Sequence, residues 1–435
     1  MRMHWGSSWV TAGLTMVVFG ASVSLAVAAP PASDAEAANA PEDYRELASV
    51  KAFEQLRAAI DEQFEMVLAD AKTEREVWGG MRALLRILAM SADTSLDANP
   101  KAPHFARMDT QIRKVGGDNP DAEYDHVSLD NEWDYVIRGN IGTVRHVGFT
   151  ILGGRKAGRS SAIGYLNEQT LGANEDGDFE IYLTKTPVDH PNWIDTTDGI
   201  SSILVRQYIG DRDEEVEATY DIEVVGRAPY EDIPYSTDAE VAARITGMEY
   251  GFRFMTTMHR TILPEMFDSP NQFVRSTSSD FGADISSNDN LYMLAAYQVG
   301  EDEALIIETD PLDVRYWNLA VESRWHETVD YLQRRTHRSL DDVVVDPDGK
   351  LRFVLAHGKT PHPNWLDTGG YNEGFLTFRW VGERDSVTAL PTVIRVPRSA
   401  VEETLADRMG AASGAALGAA RGDRLAGGKA APAGR

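Results

Sequence analysis

The chain has 435 residues, of which 43% are hydrophobic and 25% are charged, a composition typical of a globular protein with a buried core. Its formal net charge of −26 excludes the basic footprint of a nucleic-acid-binding protein and disfavours anionic membrane surfaces. There is no cysteine, which excludes disulfide bonds and thiolate metal sites. The length predicts two or three domains.

The first 28 residues have the pattern of a secretory signal peptide. Arg2 supplies a positive charge, an uncharged apolar stretch follows, and Ala26-Val27-Ala28 forms a small-x-small cleavage signal. The alternative is a retained membrane anchor, because the apolar stretch is almost long enough to span a bilayer. Residues 29–41 are rich in Ala and Pro and predict a flexible linker. We therefore expect a periplasmic or secreted protein without membrane attachment after cleavage.

Helical periodicity dominates the region that follows the linker. Apolar residues at steps of three and four predict a helical segment over 42–71. A second helix is predicted from about Glu74 to Met90, and another from about Ala239 to Ile262. Residues 399–435 predict a short helix followed by a disordered, Ala/Gly-rich tail.

A repeated motif organises the rest of the chain. His190-Pro191-Asn192-Trp193 recurs 172 residues later as His362-Pro363-Asn364-Trp365, and in both places an aliphatic residue and Asp-Thr follow. Weaker matches, such as Tyr124 with Tyr292, continue upstream at slightly different offsets, as loop insertions would produce. We therefore predict two copies of one domain-sized unit. Repeat one spans 72–213, a linker spans 214–240, and repeat two spans 241–398.

Short runs with period-two alternation predict that both repeats are rich in β-strands. They follow Tyr124 in repeat one and Tyr292 in repeat two. The predicted fold class is α+β. Each repeat is an N-terminal helix followed by a jelly-roll-like antiparallel β-sandwich, and the helical segment at the N-terminus is an extra element.

Three motifs of repeat two resemble the bacterial domain-of-unknown-function family 1214. They are Asp313-Val314-Arg315-Tyr316-Trp317-Asn318, then Trp325-x-Glu327, then the sequence from His362 to Thr368. The match is weaker over repeat one, where His146-Val147 stands in place of Tyr316-Trp317. The resemblance implies a jelly-roll-like sandwich in the C-terminal unit. It implies no reaction, so it assigns no catalytic residue.

The shared motif has a structural and a functional interpretation. In the structural one, Pro-Asn-Trp forms a turn whose Trp193 closes an end of the sandwich. Arg145 would pair with Asp195, and Arg315 with Asp367, each holding a strand to a loop by bidentate hydrogen bonds. In the functional one, the same polar and aromatic groups contact a ligand.

Function is also expected where the two copies differ. The segment from Glu322 to Val329 aligns with a basic glycine loop at Gly153–Ser160 and is rich in aromatic and titratable side chains. Its alternative is a helix with Trp325 and Val329 in the core. The predicted ligand-binding residues are Arg315, Trp325, Tyr331 and Trp365. Candidate acid–base groups for catalysis are His326, Glu327, His357 and His362.

The leading functional hypothesis is an exported protein that binds a small or oligomeric polar ligand, such as a carbohydrate. The ligand would lie in a cleft of repeat two or between the copies. The alternatives are a secreted hydrolase or lyase and an envelope module that docks another protein. Gly153–Ser160 has phosphate-loop spacing but no helix start behind it, so it predicts a hairpin. No metal site and no cofactor are predicted, and the oligomeric state is left open.

Overall fold

The structure is a computed structural model, and the residues that it describes are 43–156, 159–227, 235–261, 264–276, 290–311, 313–381 and 389–410. The predicted signal peptide, the linker over 29–41 and the tail from residue 411 lie outside these ranges, as do 157–158 in the glycine loop. The contacts between residues define two compact units, with the boundary after Glu46. The first piece is described only around a 3-10 turn at Tyr44–Glu46. The second piece, from Leu47, carries the long helices and the sheets.

Helices of three or more turns occur near the start of each repeat. The helices are α1 (Ala48–Asp70), α2 (Glu74–Ser91), α3 (Asp238–Thr256), the single turn α4 (Met258–Thr261) and α5 (residues 401–410). A π-helical turn, Ala92–Leu96, extends α2, and 3-10 turns lie at Pro264–Asp268 and Arg398–Ala400. Across the described ranges, no helix has the length and apolar character needed to cross a membrane.

Local sequence explains where these helices begin. Thr73 caps α2 by accepting a hydrogen bond from Glu76 N at 3.3 Å. A reciprocal capping box of Thr237 and Glu240 starts α3. The α1 N-terminus has no such cap of its own. Instead Asp238 accepts from the backbone N–H groups at 48 and 49, at 2.8 and 3.0 Å, so the first turn of α3 also holds α1.

Repeat one contains two sheets. The five-stranded sheet has the order β1-β2-β8-β4-β5, and the four-stranded sheet has the order β7-β6-β3-β9. The strands are β1 (Ala106–Arg107), β2 (Ala122–Ser128), β3 (Tyr135–Asn140), β4 (His146–Lys156), β5 (Arg159–Asn167), β6 (Asp178–Thr184), β7 (Trp193–Asp195), β8 (Ile200–Tyr208) and β9 (Thr219–Val224).

Repeat two has the same arrangement. Its five-stranded sheet has the order β10-β11-β17-β13-β14, and its four-stranded sheet has the order β16-β15-β12-β18. The strands are β10 (Val274–Ser276), β11 (Asn290–Gln298), β12 (Glu303–Thr309), β13 (Tyr316–Glu322), β14 (His337–Ser339), β15 (Leu351–Ala356), β16 (Trp365–Asp367), β17 (Glu373–Val381) and β18 (Thr392–Pro397).

The two sheets of each repeat pack face to face around one core. In repeat one the core includes Phe149, Ile181 and Val205, and in repeat two it includes Trp317 and Phe353. The predicted α+β fold with two duplicated, sheet-rich units is therefore confirmed. Pairing is antiparallel except that β7 and β16, which carry the Trp-x-Asp of the repeated motif, run parallel to β6 and β15.

The structure corrects the predicted linker over 214–240. Thr219–Val224 forms β9, which pairs along its length with β3 and completes the four-stranded sheet of repeat one. Repeat one therefore extends beyond 213. The glycine-rich loop at Gly153–Ser160 joins β4 to β5 without a following helix, as a hairpin would.

A helix covers the outer face of the four-stranded sheet in repeat two. Val401 and Leu405 of α5 pack on Ile306 and Val354. This contact places the predicted C-terminal helix in the fold and ties the last described segment to the sheet.

Candidate functional site

The repeats face each other through the outer surfaces of their five-stranded sheets. Tyr208 on β8 and Tyr316 on β13 stack with ring centroids 4.9 Å apart. Asn290 Nδ2 donates to the Tyr208 hydroxyl at 2.7 Å, and the Tyr316 hydroxyl donates to Asp121 Oδ2 at 2.8 Å. Since side chains alternate along a strand, the residues between the core positions build this polar and aromatic contact.

Arg315 contributes an ion pair to the contact between the repeats. It pairs with Glu168 of repeat one, so the predicted pair with Asp367 is wrong. Asp367 instead accepts from Arg334 Nη1 at 3.0 Å and from Gly369 N at 2.9 Å. Repeat one supplies the carboxylate that pairs with Arg315. The sequence alone does not reveal that the two repeats meet here.

Arg145 behaves in the same way. It contacts Asp341 of repeat two at 2.7 Å and Glu215 at 3.3 Å, so the predicted pair with Asp195 is also wrong. Asp195 is exposed and accepts from Thr197 N at 2.8 Å, which closes the turn after β7. Both arginines therefore pair across the contact between the repeats, and Arg145 also pairs with Glu215 in a loop of its own repeat.

A cavity of about 200 Å³ lies where the two five-stranded sheets, the end of α3 and the segment 108–118 meet. Its walls are largely apolar. The apolar lining residues include Met108, Val115, Leu204, Phe254, Met255 and Leu294. A concave, mostly apolar space with a few polar groups at its edge is the usual form of a small-molecule site.

Each repeat contributes one tyrosine–arginine pair to this cavity. Tyr124 on β2 lies opposite Arg206 on β8, and Tyr292 on β11 lies opposite Arg379 on β17. The Arg206 guanidinium lies 5.8 Å from the ring centroid of Tyr124. Because β2 and β8 occupy the same sheet positions as β11 and β17, the two pairs are structurally equivalent. Internal duplication thus places one guanidinium from each repeat at the cavity.

Arg379 is held by the segment that carries His326. Its Nη2 donates to Glu322 Oε1 at 3.1 Å and to the Gly117 carbonyl, whereas its buried Nη1 has no hydrogen-bond partner among the described residues. Burial alone would raise the pKa of Glu322, but His326 and Arg379 hold that pKa below its usual value. His326 Nδ1 contacts Glu322 Oε2, so this candidate catalytic residue lines the cavity while tied to a carboxylate.

Two buried aspartates also line the cavity. Burial, and next the charge of Asp118, raises the pKa of Asp109 to about 8. Burial raises the pKa of Asp118 to about 6, although Lys114 opposes the shift. Asp109 Oδ1 accepts from Tyr124 N at 3.2 Å, and Asp118 Oδ1 accepts from Thr328 N at 2.7 Å. Asp109 therefore keeps its proton at pH 7 and is a neutral hydrogen-bond donor.

The raised pKa of Asp109 predicts a pH-dependent stability. Its pKa is about 8 in the folded chain against 3.8 for an ordinary aspartate, so the folded state binds more protons between these values and loses stability as pH rises through them. Asp109→Asn keeps the acceptor and removes the titration. We expect the free energy of unfolding of the variant, relative to that of the wild type, to increase by up to about 1.4 kcal/mol for each pH unit between about pH 4 and 8.

Urea unfolding at pH 5 and pH 8 measures this gain. Asp195→Asn is the matched control, because Asp195 is exposed and hydrogen bonds to Thr197 lower its pKa. An Asp109→Asn gain that is equal at both pH values would show that Asp109 is ionised in the folded chain.

The side chains of Trp325 and Glu327 contact helix α2 and do not face the cavity. Residues 324–326 form a turn and Thr328 forms an isolated β-bridge with Glu322, so the alternative prediction of a helix is wrong, although Trp325 and Val329 are buried as that alternative expected. Trp325 Nε1 donates to the Glu76 carbonyl of α2 at 2.8 Å, and the ring packs in the helical core. Glu327 pairs with Arg86 of α2 at 3.0 Å, and burial raises its pKa to about 7. Neither side chain lines the described cavity.

The remaining predicted ligand-binding aromatics contact cations of the protein itself. Lys114 Nζ lies 4.3 Å from the ring centroid of Tyr331. Arg335 lies 5.5 Å from the ring centroid of Trp365. Both rings are partly buried, and neither lines the cavity between the repeats.

The Asn of the repeated motif makes the same contacts in both copies. Asn192 Nδ2 donates to the carbonyls at 171 and 180, at 2.6 and 2.8 Å, and Asn364 Nδ2 donates to those at 344 and 352, at 2.6 and 2.9 Å. Trp193 Nε1 donates to the Thr184 carbonyl at 3.2 Å. These contacts tie a loop to a strand, which accounts for a motif that both copies retain.

His357 and His362 lie at the two sides of that loop in repeat two. His357 Nδ1 contacts Thr368 Oγ1 at 2.9 Å, and His362 Nε2 lies 3.4 Å from Asp346 Oδ1. Burial lowers the pKa of His362, which favours its neutral form. The structure does not bring either histidine to His326 or to the cavity. Nowhere in the described ranges do three or more His, Asp or Glu side chains form a group that could hold a metal ion.

Comparison with known proteins supports the fold and the resemblance over part of repeat two. Residues 300–383 match the family "Protein of unknown function (DUF1214)". A crystal structure of an uncharacterized protein from Burkholderia cenocepacia has a TM-score of 0.75 and 23% sequence identity, and covers 82% of this chain and 99% of that chain. The two proteins therefore share a fold.

A second solved structure is more distant. The VPA0106 protein from Vibrio parahaemolyticus has a TM-score of 0.43 and 11% identity, with 80% of this chain and 99% of that chain covered. Comparison with curated proteins finds no match. The family match confirms the predicted resemblance to family 1214 for residues 300–383.

Proposed function

We propose that the protein binds a small, mostly apolar molecule in the cavity between its repeats. The observation that carries this proposal is the apolar lining that both repeats and α3 close around a few buried polar groups. An apolar cavity of about 150 Å³ holds benzene. The space of about 200 Å³ therefore suits a ligand slightly larger than benzene, such as a substituted ring or a chain of about six carbons.

The lining favours this ligand over the carbohydrate expected from the sequence. A sugar carries a hydroxyl on most of its carbons, and each buried hydroxyl needs a hydrogen-bond partner. Side chains such as Leu204, Phe254 and Leu294 offer none. The few polar lining groups, which include Arg379 and Asp109, suit a ligand with one polar group.

Acid–base catalysis at the same cavity is the second candidate function. Asp109 and Asp118 have raised carboxyl pKa values and lie at the cavity with His326, the pattern that an acid–base site would show. A bound molecule that is converted into another during incubation would favour this alternative over simple binding.

The test is native mass spectrometry of the protein purified without heating from the compartment in which it accumulates. A bound small molecule is expected in the wild type and in Val216→Trp, which alters an exposed position. It should be lost from Leu204→Trp, which fills the cavity. The same spectrum tests export, because cleavage after Ala28 would give a chain that starts at Ala29.

A wild-type protein that carries no ligand is then mixed with benzene-sized alcohols, amides and carboxylates. Binding at 100 times the dissociation constant adds about 2.7 kcal/mol to the free energy of unfolding and raises the melting temperature. If no bound mass is found and no compound in this series shifts the melting temperature, the proposed function is wrong.

A further inference from the structure

The cavity is formed by equivalent residues that come from two copies of one fold. Arg206 and Arg379 stand at the same position of β8 and β17, each opposite a tyrosine of the neighbouring strand. Both guanidinium groups are largely buried. Arg379 pairs with Glu322, and Arg206 Nη1 donates to Thr150 Oγ1 at 3.3 Å. Two like charges buried at one apolar space still disfavour each other, and an anion between them would lower that cost.

One edge of Arg379 has no role within the described chain. Its Nη2 is used by Glu322 and by the Gly117 carbonyl, and Nη1 is buried without a hydrogen-bond partner there. A guanidinium edge prefers a planar acceptor with two oxygens, which a carboxylate provides.

Among the described residues that line the cavity, Asp118 is an ionised carboxylate at pH 7, because its pKa is about 6, and it faces two guanidinium groups, Arg206 and Arg379, which outnumber it. Glu322 already faces both His326 and Arg379. Asp109 is neutral at pH 7 because it is buried beside Asp118, so it donates a hydrogen bond instead of repelling an anion. A cationic ligand, in contrast, would meet two guanidinium groups.

Building on the proposed binding function, we propose that the ligand is a small monocarboxylate whose carboxylate lies against Arg379 and Arg206. Its body is a ring or a chain of about six carbons that fills the space beside Leu204, Leu294 and Phe254. Protonated Asp109 donates to the same head group. Both repeats hold the ligand, so neither sandwich forms the site alone.

Isothermal titration of wild-type protein with matched pairs of compounds tests the charge of the head group. Benzoate is compared with benzamide, and hexanoate with hexanamide, since each pair differs little in shape. We expect each carboxylate to bind at least tenfold more tightly, which corresponds to about 1.4 kcal/mol. Amides that bind as tightly as carboxylates would overturn the carboxylate assignment and leave the binding function standing. If none of the four compounds binds, the carboxylate assignment fails, and the wider series above decides the binding function.

A variant locates the head group. Arg206→Gln should weaken benzoate binding at least tenfold and weaken benzamide binding much less, with the melting temperature measured as a check on folding. Arg138→Gln, at an exposed arginine on the outer face of repeat one, is the matched control and should bind both compounds like the wild type. Equal losses for both compounds in a folded Arg206→Gln protein would overturn the placement of the carboxylate.

Discussion

Replacing Trp325 by alanine is expected to lower the free energy of unfolding by about 3–5 kcal/mol. The ring is 6% exposed and packs with Val67 and Ile87 in the core between the helices and repeat two. A Cβ atom at Gly80 would come within 2.9 Å of the ring, which shows how closely α2 approaches it. The substitution also removes the hydrogen bond from Trp325 Nε1 to the Glu76 carbonyl. Urea unfolding measures the loss.

Trp78 on α2 is the matched control for this substitution. It is 47% exposed, so Trp78→Ala should change the stability by about 0.5 kcal/mol or less. An unfolding midpoint of Trp325→Ala close to that of the control would mean that the ring does not fasten the helices to repeat two. That outcome would favour the prediction, made from the sequence, that Trp325 contacts a ligand.

The sequence predicted the elements that depend on local pattern. Steps of three and four in 42–71 predicted α1, and the alternation after Tyr124 and Tyr292 predicted the sheets. The shared motif revealed the duplication, because tying a loop to a strand through Asn192 or Asn364 is required equally in both copies. Such contacts lie within one repeat, so each copy retains the residues that make them.

The contact between the repeats could not be predicted in this way. The sequence contains the outward-facing residues of β8 and β17, but not the fact that these two faces meet. Arg145 and Arg315 were therefore assigned partners in their own repeats, while their carboxylates Asp341 and Glu168 lie in the other one. Charge complementarity within one repeat does not identify ion pairs that form across the contact between two repeats.

A sequence signal for the cavity did exist. Tyr124 and Tyr292 were recognised as a repeated pair, although only as a sign of duplication. Arg206 and Arg379 are also equivalent, but they are one position further apart than the two copies of the shared motif, so the offset of that motif does not pair them. Outward-facing arginines at matching strand positions, each opposite a repeated tyrosine, would have pointed to a surface that both copies share.

Arg352→Met is expected to cost about 3 kcal/mol, because it removes the cation that three carboxylates share. Arg352 is 1% exposed and contacts Glu308 at 2.6 Å, Asp346 at 2.8 Å and Asp348 at 2.7 Å. Methionine keeps much of the side-chain volume, so the loss reports the unpaired carboxylates. The Glu308 side chain is 15% exposed and also pairs with Arg408, which places the expected cost at the lower end of the range for buried pairs.

Duplication supplies the control for this prediction. The ladder position of Glu308 and Arg352 on β12 and β15 is occupied in repeat one by Arg138 and Glu180 on β3 and β6, with the charges exchanged. Arg138 is half exposed, so Arg138→Met should cost no more than about 1 kcal/mol. Equal losses for the two variants in urea unfolding would mean that burial does not set the strength of this pair. A large loss for Arg352→Met alone would show that the same ion pair stabilises the fold strongly only where α5 and its Arg408 close over the sheet.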